Sequence, residues 1–569
     1  MKRRNFIGLV SAGSGAVLAG VPVGMATAAQ PGRKSRNRVE LSADLVIAGG
    51  GMGGCAAALA ACRNGLKVIL TEETDWIGGQ VSQQGVPPDE HRWIETHGAP
   101  PSYRDFRKRV RDHYRRNYPL TADALGREFL NPGNGGVSRV CHEPRVAVAV
   151  LEEMLAPSVS SGKLILLREF RVTRADATGD KVSAIEVVNE KQELRMVLKA
   201  PLFIDATECG DLLPLTGTEY VTGTEPKKET GELHAPEKGN PENNQAFTLC
   251  FAMDYQPGID NRIDRPANYD FWRNYVPPLT PPWSGRLLDL RYSNPQTLEP
   301  KALDFHPGGV ANRPVLNLWN YRKMIDRNNF TPGFYDGDIT LVNWPQNDYM
   351  EGNLIGVSRK EFDRHVEGAR QLNFSLFYWL QTEAPRPDGG MGWPGLRLRG
   401  DVMGTPDGMA KYPYIRESRR IKALFTVLEE HVGAENRKLV ASEEAGKKSA
   451  FFYDSVGIGY YHIDLHPSNR GNNYIDFGSL PFQIPLGALL PQRVENLLPA
   501  NKNIGTTHIT NGCYRLHPVE WSIGEAAGCL AAFAGKKQLP PRAVRENREL
   551  LKEFQDYIRK QGIETSWPE

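Results

Sequence analysis

Short, wholly apolar runs separated by long polar stretches mark this chain, and the first such run after residue 40 sets the reading of the rest. In "DLVIA" (44–48) every position beyond Asp44 is apolar. No polar position marks an exposed face, so the run predicts a short strand buried on both sides. Three adjacent glycines follow, then an alanine-rich stretch that ends at Asn64-Gly65, a pair suited to a left-handed helix cap. "LKVIL" (66–70) predicts a second buried strand. Further on, "DKVSAIEVVNEKQELRMVLKAPLFIDA" (180–206) alternates apolar and polar positions, the pattern of a hairpin that feeds another strand. "PKKETGELHAPEKGNPENN" (226–244) is polar and proline-rich and reads as an exposed linker or mobile loop. After Pro540, "RAVRENRELLKEFQDYIRK" predicts a charged amphipathic helix on the surface.

The first thirty residues follow another logic. They have a basic start, a short glycine-interrupted apolar middle and a small-x-small site at Ala26-Thr27-Ala28. That is the pattern of a secretory signal, removed on export, and it is too short and interrupted for a permanent membrane span. Arg3-Arg4 followed by Asn5-Phe6-Ile7 resembles the twin-arginine export signal, whose machinery carries folded proteins. The expected location is periplasmic or secreted.

Composition narrows the picture further. The 569 residues are enough for two or three domain-sized units, and 40% apolar with 24% charged residues is ordinary for globular proteins. A formal net charge of +2 gives no bulk attraction to nucleic acid or anionic lipid. Seven scattered cysteines with no C-x-x-C pair argue against a disulfide framework, zinc or an iron–sulfur cluster, and no metal site is expected.

The glycines carry the first chemistry. Gly49, Gly51 and Gly54 fit G-x-G-x-x-G between a strand and a helix. The first permits the tight turn, the second lets a diphosphate approach the backbone, and the third lets the helix pack on the sheet. The helix N-terminus offers unpaired N–H groups to the phosphates. Glu72 ends the second strand, 21 residues after Gly51, where a carboxylate accepts hydrogen bonds from ribose hydroxyls. Strand, glycines, helix, strand and acid in this order define an adenine dinucleotide site.

From Glu72 onward the sequence resembles the two-dinucleotide-binding-domain flavoproteins, in which E-x5-G-G extends the FAD fingerprint; here the glycines are Gly78 and Gly79, followed by Gln80. "VSRVCHEPRVAVAVLEEML" (137–155), "PLFIDATECGDLLPLTG" (201–217), "YIRESRRI" (414–421), "DSVGIGYYHIDLHPS" (454–468), "PFQIPLGALLP" (481–491) and "NIGTTHITNGCYRLHPVEWSIGEAAG" (503–528) resemble, in order, segments of one family. These are the FAD-dependent oxidoreductases whose secreted bacterial members are sometimes labelled xanthan lyase. One departure is Ala500-Asn501-Lys502, where relatives often carry A-G.

The resemblance implies an α/β fold: a Rossmann-like FAD-binding domain of the glutathione-reductase type, built from about 40–230 and 475–540, with an inserted α+β substrate or cap domain at 231–474 and a surface helix in 541–569. It implies FAD as cofactor, with Gln80, Asp205 and Thr207 joining the glycines and Glu72 around it. It also implies that the helix in "HPVEWSIGEAAGCLAAFA" points its N-terminus at the flavin, Gly524 allowing close approach, and that Arg515 stabilises the reduced flavin or holds a substrate group. Arg515 pairing with an acid such as Glu520 is the alternative.

Histidines are natural bases for a reaction in which hydride leaves a substrate for flavin N5. His462, His466, His508 and His517 lie in the resembling segments; His466, with Asp464 two residues before it, and His517 are the stronger candidates. Arg416, Arg419 and Arg420 of "RESRRI" offer anion binding or a salt-bridged helix start, and Tyr460 and Tyr461 are candidate wall residues. No second G-x-G-x-x-G follows a strand, which argues against an NAD(P)H site. The expected reaction is oxidation of a small sugar, polyol, amine or hydroxy acid, with dioxygen, a quinone or a redox protein taking the electrons. Reduction of an unsaturated carboxylate, or a non-catalytic FAD-fold protein of a carbohydrate system, are the alternatives.

Overall fold

The computed structural model describes residues 38–309 and 315–568. The expected export signal (1–30) lies outside them. Five parallel strands, β1 (Leu45–Ala48), β2 (Val68–Glu72), β3 (Leu164–Arg168), β4 (Leu202–Asp205) and β5 (Leu497–Pro499), form the central sheet in the spatial order β5-β4-β1-β2-β3. Helix α1 (Met52–Arg63) returns the chain from β1 to β2. β1 is buried along its whole length, as its unbroken apolar run requires. Its Leu45 faces Val68 on one side and Leu202 on the other. The loops leaving the carboxyl ends of β1 and β4 go different ways, and a crevice opens there, where parallel α/β sheets bind ligands.

Two helices follow β5: α2 (His508–Tyr514) and α3 (His517–Lys537). α3 is buried from His517 to Ala534, because it packs on α1 backbone to backbone. A Cβ on Gly524 would stand 2.0 Å from the Gly53 carbonyl, and one on Gly528 would stand 2.3 Å from that of Ala57. Small residues four apart on each helix give this close crossing.

The predicted hairpin is Lys181–Asn189 with Leu194–Lys199, in a second sheet with Arg38–Ser42 and Arg171–Thr178. A third sheet is antiparallel and places Phe251–Tyr255 between Ile339–Val342 and Leu396–Leu398, with Lys323–Ile325 outermost. The helix Arg359–Thr382 starts at a reciprocal cap, Ser358 with Glu361, and buries Leu372, Leu376, Phe377 and Leu380. No described helix is long and apolar enough to cross a membrane.

Two local expectations change. "RESRRI" does not start a helix: Arg420–Ile421 pairs as a short strand with Tyr220–Val221, because the arginines are drawn into buried ion pairs. The polar stretch after Pro226 is not simply an exposed loop either. Its Glu232 is buried and accepts from the Thr507 hydroxyl (2.6 Å) and the Glu429 N–H (2.9 Å). The tail forms two helices, Pro541–Glu546 and Arg548–Arg559, the second burying Leu551, Phe554 and Ile558 under a charged face.

Candidate active site

The crevice at the carboxyl ends of β1, β2 and β4 is lined by Gly49, Gly51, Glu72, Phe170, Thr207, Glu208 and Tyr412, among others. Gly49 has φ +97°, and a Cβ there would strike the Ala206 carbonyl at 2.1 Å, so only glycine makes this turn. Gly54 lies against the Gly49 carbonyl and the Ala206 side chain, the close packing of α1 on the sheet. Glu72 accepts from the Gly50 N–H (3.0 Å) and the Thr74 N–H (2.7 Å). Its burial pushes its carboxyl pKa up to about 8.

Gly51 differs from its neighbours. A Cβ there would meet only side-chain ends: Glu208 Oε1 at 3.0 Å, Asn501 Nδ2 at 3.4 Å and Glu520 Oε1 at 3.7 Å. Glu208 Oε1, Asn501 Oδ1 and Glu520 Oε1 are buried acceptors without a partner. Each such group costs roughly 1–3 kcal/mol unless a ligand supplies a donor. Lys502 stands among them, 2.6 Å from Glu208 and 3.8 Å from Glu520. Burial works against its charge, and the two carboxylates outweigh that and raise its pKa. Orphaned acceptors beside a helix N-terminus suit a ligand with both hydroxyls and a diphosphate, and FAD has both. At the Ala500-Asn501-Lys502 departure, Asn501 is not among the positive-φ residues, so glycine is not required there.

Five expected cofactor positions need correction or refinement. Gly524 sits two turns inside α3, and the missing side chain makes room for Gly53, not for a flavin. Asp205 is fully buried outside the crevice lining; its carboxylate takes the Thr207 N–H and hydroxyl and the Leu212 N–H, so it shapes the turn that presents Thr207. Gly78 (φ +115°) and Gly79 (φ +55°) turn the chain beside Gly51, and Gln80 donates to the Arg515 carbonyl (3.0 Å) and to Glu520 (2.5 Å). That contact ties the G-G-Q turn to the corner between α2 and α3.

Beyond the corner lies a second cavity of about 160 Å³. The third sheet supplies Arg322 and Asn343, the segment Tyr414–Arg416 crosses it, and Ile463–Leu465 carries Asp464 between His462 and His466. Arg515 closes it from the corner. His466 Nδ1 is 2.6 Å from Oδ2 of Asp348, a buried residue that sequence reasoning missed. Asp348 lies 118 positions away in "WPQNDYM", and nothing local marks it. His462 makes a second pair with Asp476 at 2.8 Å; burial opposes its protonation, but Asp476 and Asp464 win and raise its pKa. Asp464 is held well below the carboxylate range: burial raises it, and His466 and Arg515 more than offset this.

The other candidates divide. Arg515 donates to Asp464 (2.9 Å) and to the Tyr414 hydroxyl (3.2 Å), so its acid is Asp464, not Glu520. Arg416 faces the cavity and pairs with Asp348 at 3.0 Å. Arg420 is bound to Glu417 and Glu225, and Arg419 to Asp211. His508 is not in the cavity: its Nδ1 lies 2.9 Å from Glu417, inside the Arg420 network. His517 is no base. Its Nδ1 accepts the Asp89 N–H at 3.1 Å, and burial lowers its pKa to about 3, so the ring is neutral with its proton on Nε2. Tyr461 lines the cavity, whereas Tyr460 packs with His91, Trp93 and Trp567.

A parallel sheet with a glycine turn and an acid at the carboxyl end of its second strand, joined through a G-G-Q turn to a polar cavity, is the frame of a dinucleotide-binding protein. A family model described as FAD dependent oxidoreductase matches residues 44–558, and the chain belongs to that family. FAD is its cofactor. No curated protein matches the chain. Among solved structures, a quinol fumarate reductase from E. coli is 12% identical over 92% of this chain and 74% of its own, with a TM-score of 0.32. The FAD complex of glycerol-3-phosphate dehydrogenase from Bacillus halodurans is 13% identical over 37% and 40%, at 0.23. L-proline dehydrogenase from P. horikoshii is 16% identical over 34% and 25%, at 0.17. The chain thus spans a quarter to under a half of the first three solved structures that it matches.

Proposed function

We propose that this FAD-dependent oxidoreductase oxidises a small organic substrate in the cavity beside the α2–α3 corner, with His466 as the base. One observation carries the reading: His466 Nδ1 stands 2.6 Å from buried Asp348, in the same cavity as Arg515, whose carbonyl holds Gln80 of the G-G-Q turn. Asp348 fixes the imidazole with its proton on Nδ1, which leaves Nε2 free to accept a proton from substrate. Asp348 is a positioning residue. Arg515 and Arg416 orient the substrate oxygen.

The Gly49–Gly51 turn and the N-terminus of α1 would hold the FAD diphosphate, Glu72 the adenosine ribose, and Glu208, Asn501 and Glu520 the polyol chain. Bound FAD supplies the two-electron acceptor for the reaction. Dioxygen, a quinone or a redox protein takes the electrons onward.

The test is anaerobic mixing of the purified yellow protein with candidate substrates while the visible flavin band is followed. His466→Gln should slow bleaching by roughly 10²–10⁴-fold with FAD content unchanged. Bleaching at the parental rate would remove His466 from the mechanism. Export in folded form belongs to the same proposal: Arg3→Lys with Arg4→Lys should leave flavin-loaded precursor in the cytoplasm, and unchanged secretion would return the segment to an ordinary signal.

A further inference from the structure

We infer that the substrate carries a carboxylate and that this group seats on the free Nε–Nη2 edge of Arg322. This rests on the dehydrogenase reading above and adds the substrate class and the residue that selects it.

Arg322 is unlike the other two guanidinium groups of the cavity. It stands between the helix Leu318–Tyr321 and the strand Lys323–Ile325, and its carbonyl takes the Leu341 N–H (3.1 Å), so the third sheet fixes its backbone. Its side chain is buried and lines the cavity. One face of the guanidinium lies over the Tyr321 ring, 4.9 Å from its centre. Nη1 donates to Asp89 at 3.3 Å, which is long for a charge-assisted bond. Nε is buried without a partner, and among the described residues no hydrogen bond engages Nη2. Those two nitrogens share one edge, with their N–H bonds side by side. Buried donors left unmatched are costly, and a carboxylate is the group that takes two parallel N–H bonds of one guanidinium at once.

The other arginines have no such edge to give. Nη2 of Arg416 is engaged by Asn343 and Asp348, and its Nη1 by the Ala246 carbonyl and the Thr248 hydroxyl. Nη2 of Arg515 is engaged by Asp464, and its Nη1 by the Tyr414 hydroxyl. Of that edge each keeps only Nε without a partner, a single donor, which suits the lone substrate oxygen assigned to them above.

Charge does not oppose the seat. The lining sets Arg322, Arg416 and Arg515 against Asp89, Asp464 and Asp476, and it includes His462, whose protonation is opposed by burial but favoured more by Asp476 and Asp464. An entering carboxylate therefore meets no surplus of like charge. A cavity of about 160 Å³ lies below the roughly 300–1,000 Å³ of most ligand pockets, so the acid is a small one.

The chemistry balances for either kind of acid. A 2-hydroxy acid loses its O–H proton to Nε2 of His466 and the hydrogen on the same carbon, with the bond's two electrons, to FAD, and becomes the 2-oxo acid. A 2-amino acid loses an N–H proton instead and becomes the imino acid. The carboxylate is unchanged and stays on Arg322, and FAD is the oxidant.

The experiment uses the FAD-loaded protein under anaerobic conditions. The probes are lactate and malate beside lactamide, alanine beside alaninamide, and glycerol and D-glucose as neutral polyols. Melting temperature is recorded in parallel. The expected result is bleaching by at least one acid, about 10-fold or more faster than by its carboxamide or by either polyol. The hydroxy-acid and amino-acid arms tell the two sources of the carboxylate apart. Arg322→Lys keeps the charge and removes the fork, so it should raise the half-saturating acid concentration about 10-fold, more than it changes the limiting rate, at unchanged FAD content. If that variant does not fold, the comparison of acid with carboxamide on the parent protein still decides. Carboxamides or polyols that bleach as fast as the acids would overturn the substrate class and leave the dehydrogenase reading standing. So would an Arg322→Lys protein with parental half-saturation. No bleaching by any probe and no thermal shift from the acids would also overturn the seat. Reoxidation of the dithionite-reduced protein by fumarate, with no probe bleaching the oxidised form, would overturn the dehydrogenase reading itself. In that case a weaker response of Arg322→Lys to fumarate supports the seat, and a parental response overturns it.

Discussion

The crevice at the glycine turn and the cavity at the α2–α3 corner are built on opposite plans. The crevice is made of backbone. Its shape comes from residues that lack side chains, and its central part is contiguous from Leu45 to Glu72. The cavity is made of side chains brought from separate segments, with Arg322, Arg416, Asp464 and Arg515 each on a different one. A backbone site tolerates little change and binds one kind of ligand. A side-chain site can be re-specified by a single substitution. Variants that strike one plan and spare the other test this contrast.

The largest effect is expected at the helix crossing. Gly524→Val would drive a side chain into the Gly53 carbonyl, 2.0 Å from its Cβ, where nothing can move aside. Soluble flavoprotein should be lost. Gly51→Val meets only movable carboxylate and amide ends, so it should leave a folded protein with little FAD. Flavin-to-protein ratio and a cooperative melt separate the two, and equal behaviour of both variants would erase the distinction.

Next in size is the cavity. Asp348→Asn should slow flavin reduction by about 10–10²-fold, less than loss of His466, and should shift the pH dependence of the rate, because the imidazole loses its orienting carboxylate. A change in stability alone, with the pH profile intact, would make Asp348 merely structural.

The third effect is on stability against pH. His517 titrates near 6.5 when unfolded and near 3 when buried, so between these values the unfolded chain binds more protons. Its contribution is complete above pH 6.5 and is lost as pH falls toward 3. At pH 4 the loss is about 3 kcal/mol. His517→Gln should flatten the fall in melting temperature across that window. An unchanged slope would show that the ring is already charged in the folded protein.

The smallest effect is on flavin potential. Removing the Arg515 cation as Arg515→Met should lower the potential, because nearby positive charge favours the reduced, anionic form. Its pairing with Asp464 makes that shift small. Asp464→Asn in the same protein should reverse it. A redox titration of the single and double variants decides, and a large shift in the single variant would mean that the pair does not screen the charge.

This contrast also governs what the sequence disclosed. Leu45–Ala48, the helix to Asn64-Gly65 and the strand ending at Glu72 were readable because strand, turn and helix signals sit in one unbroken run. The hairpin at 181–199 was readable by its alternation. Gly53 was overlooked although it packs against the Ala500 carbonyl and α3, since the fingerprint counts its neighbour Gly54 and a double glycine does not say which member bears the contact. Asp348, Asp89 and Arg322 were unreadable. A carboxylate or guanidinium in an unremarkable segment acquires its role only from partners that folding delivers. His508 and His466 look alike in sequence, and only tertiary contacts send one to Glu417 and the other to the cavity.

The interlock of α1 with α3 has a bearing on how the protein is made. The glycine turn is translated early, but its outer wall, with Asn501, Lys502 and Glu520, and the edge strand β5 leave the ribosome hundreds of residues later. A nascent chain halted before residue 497 presents the N-terminal half of a nucleotide cradle with one side missing. Capture of the cofactor is therefore a late event in biogenesis, completed only as α3 packs back onto α1, and truncation ahead of α3 should cost the flavin as surely as a lesion at the turn.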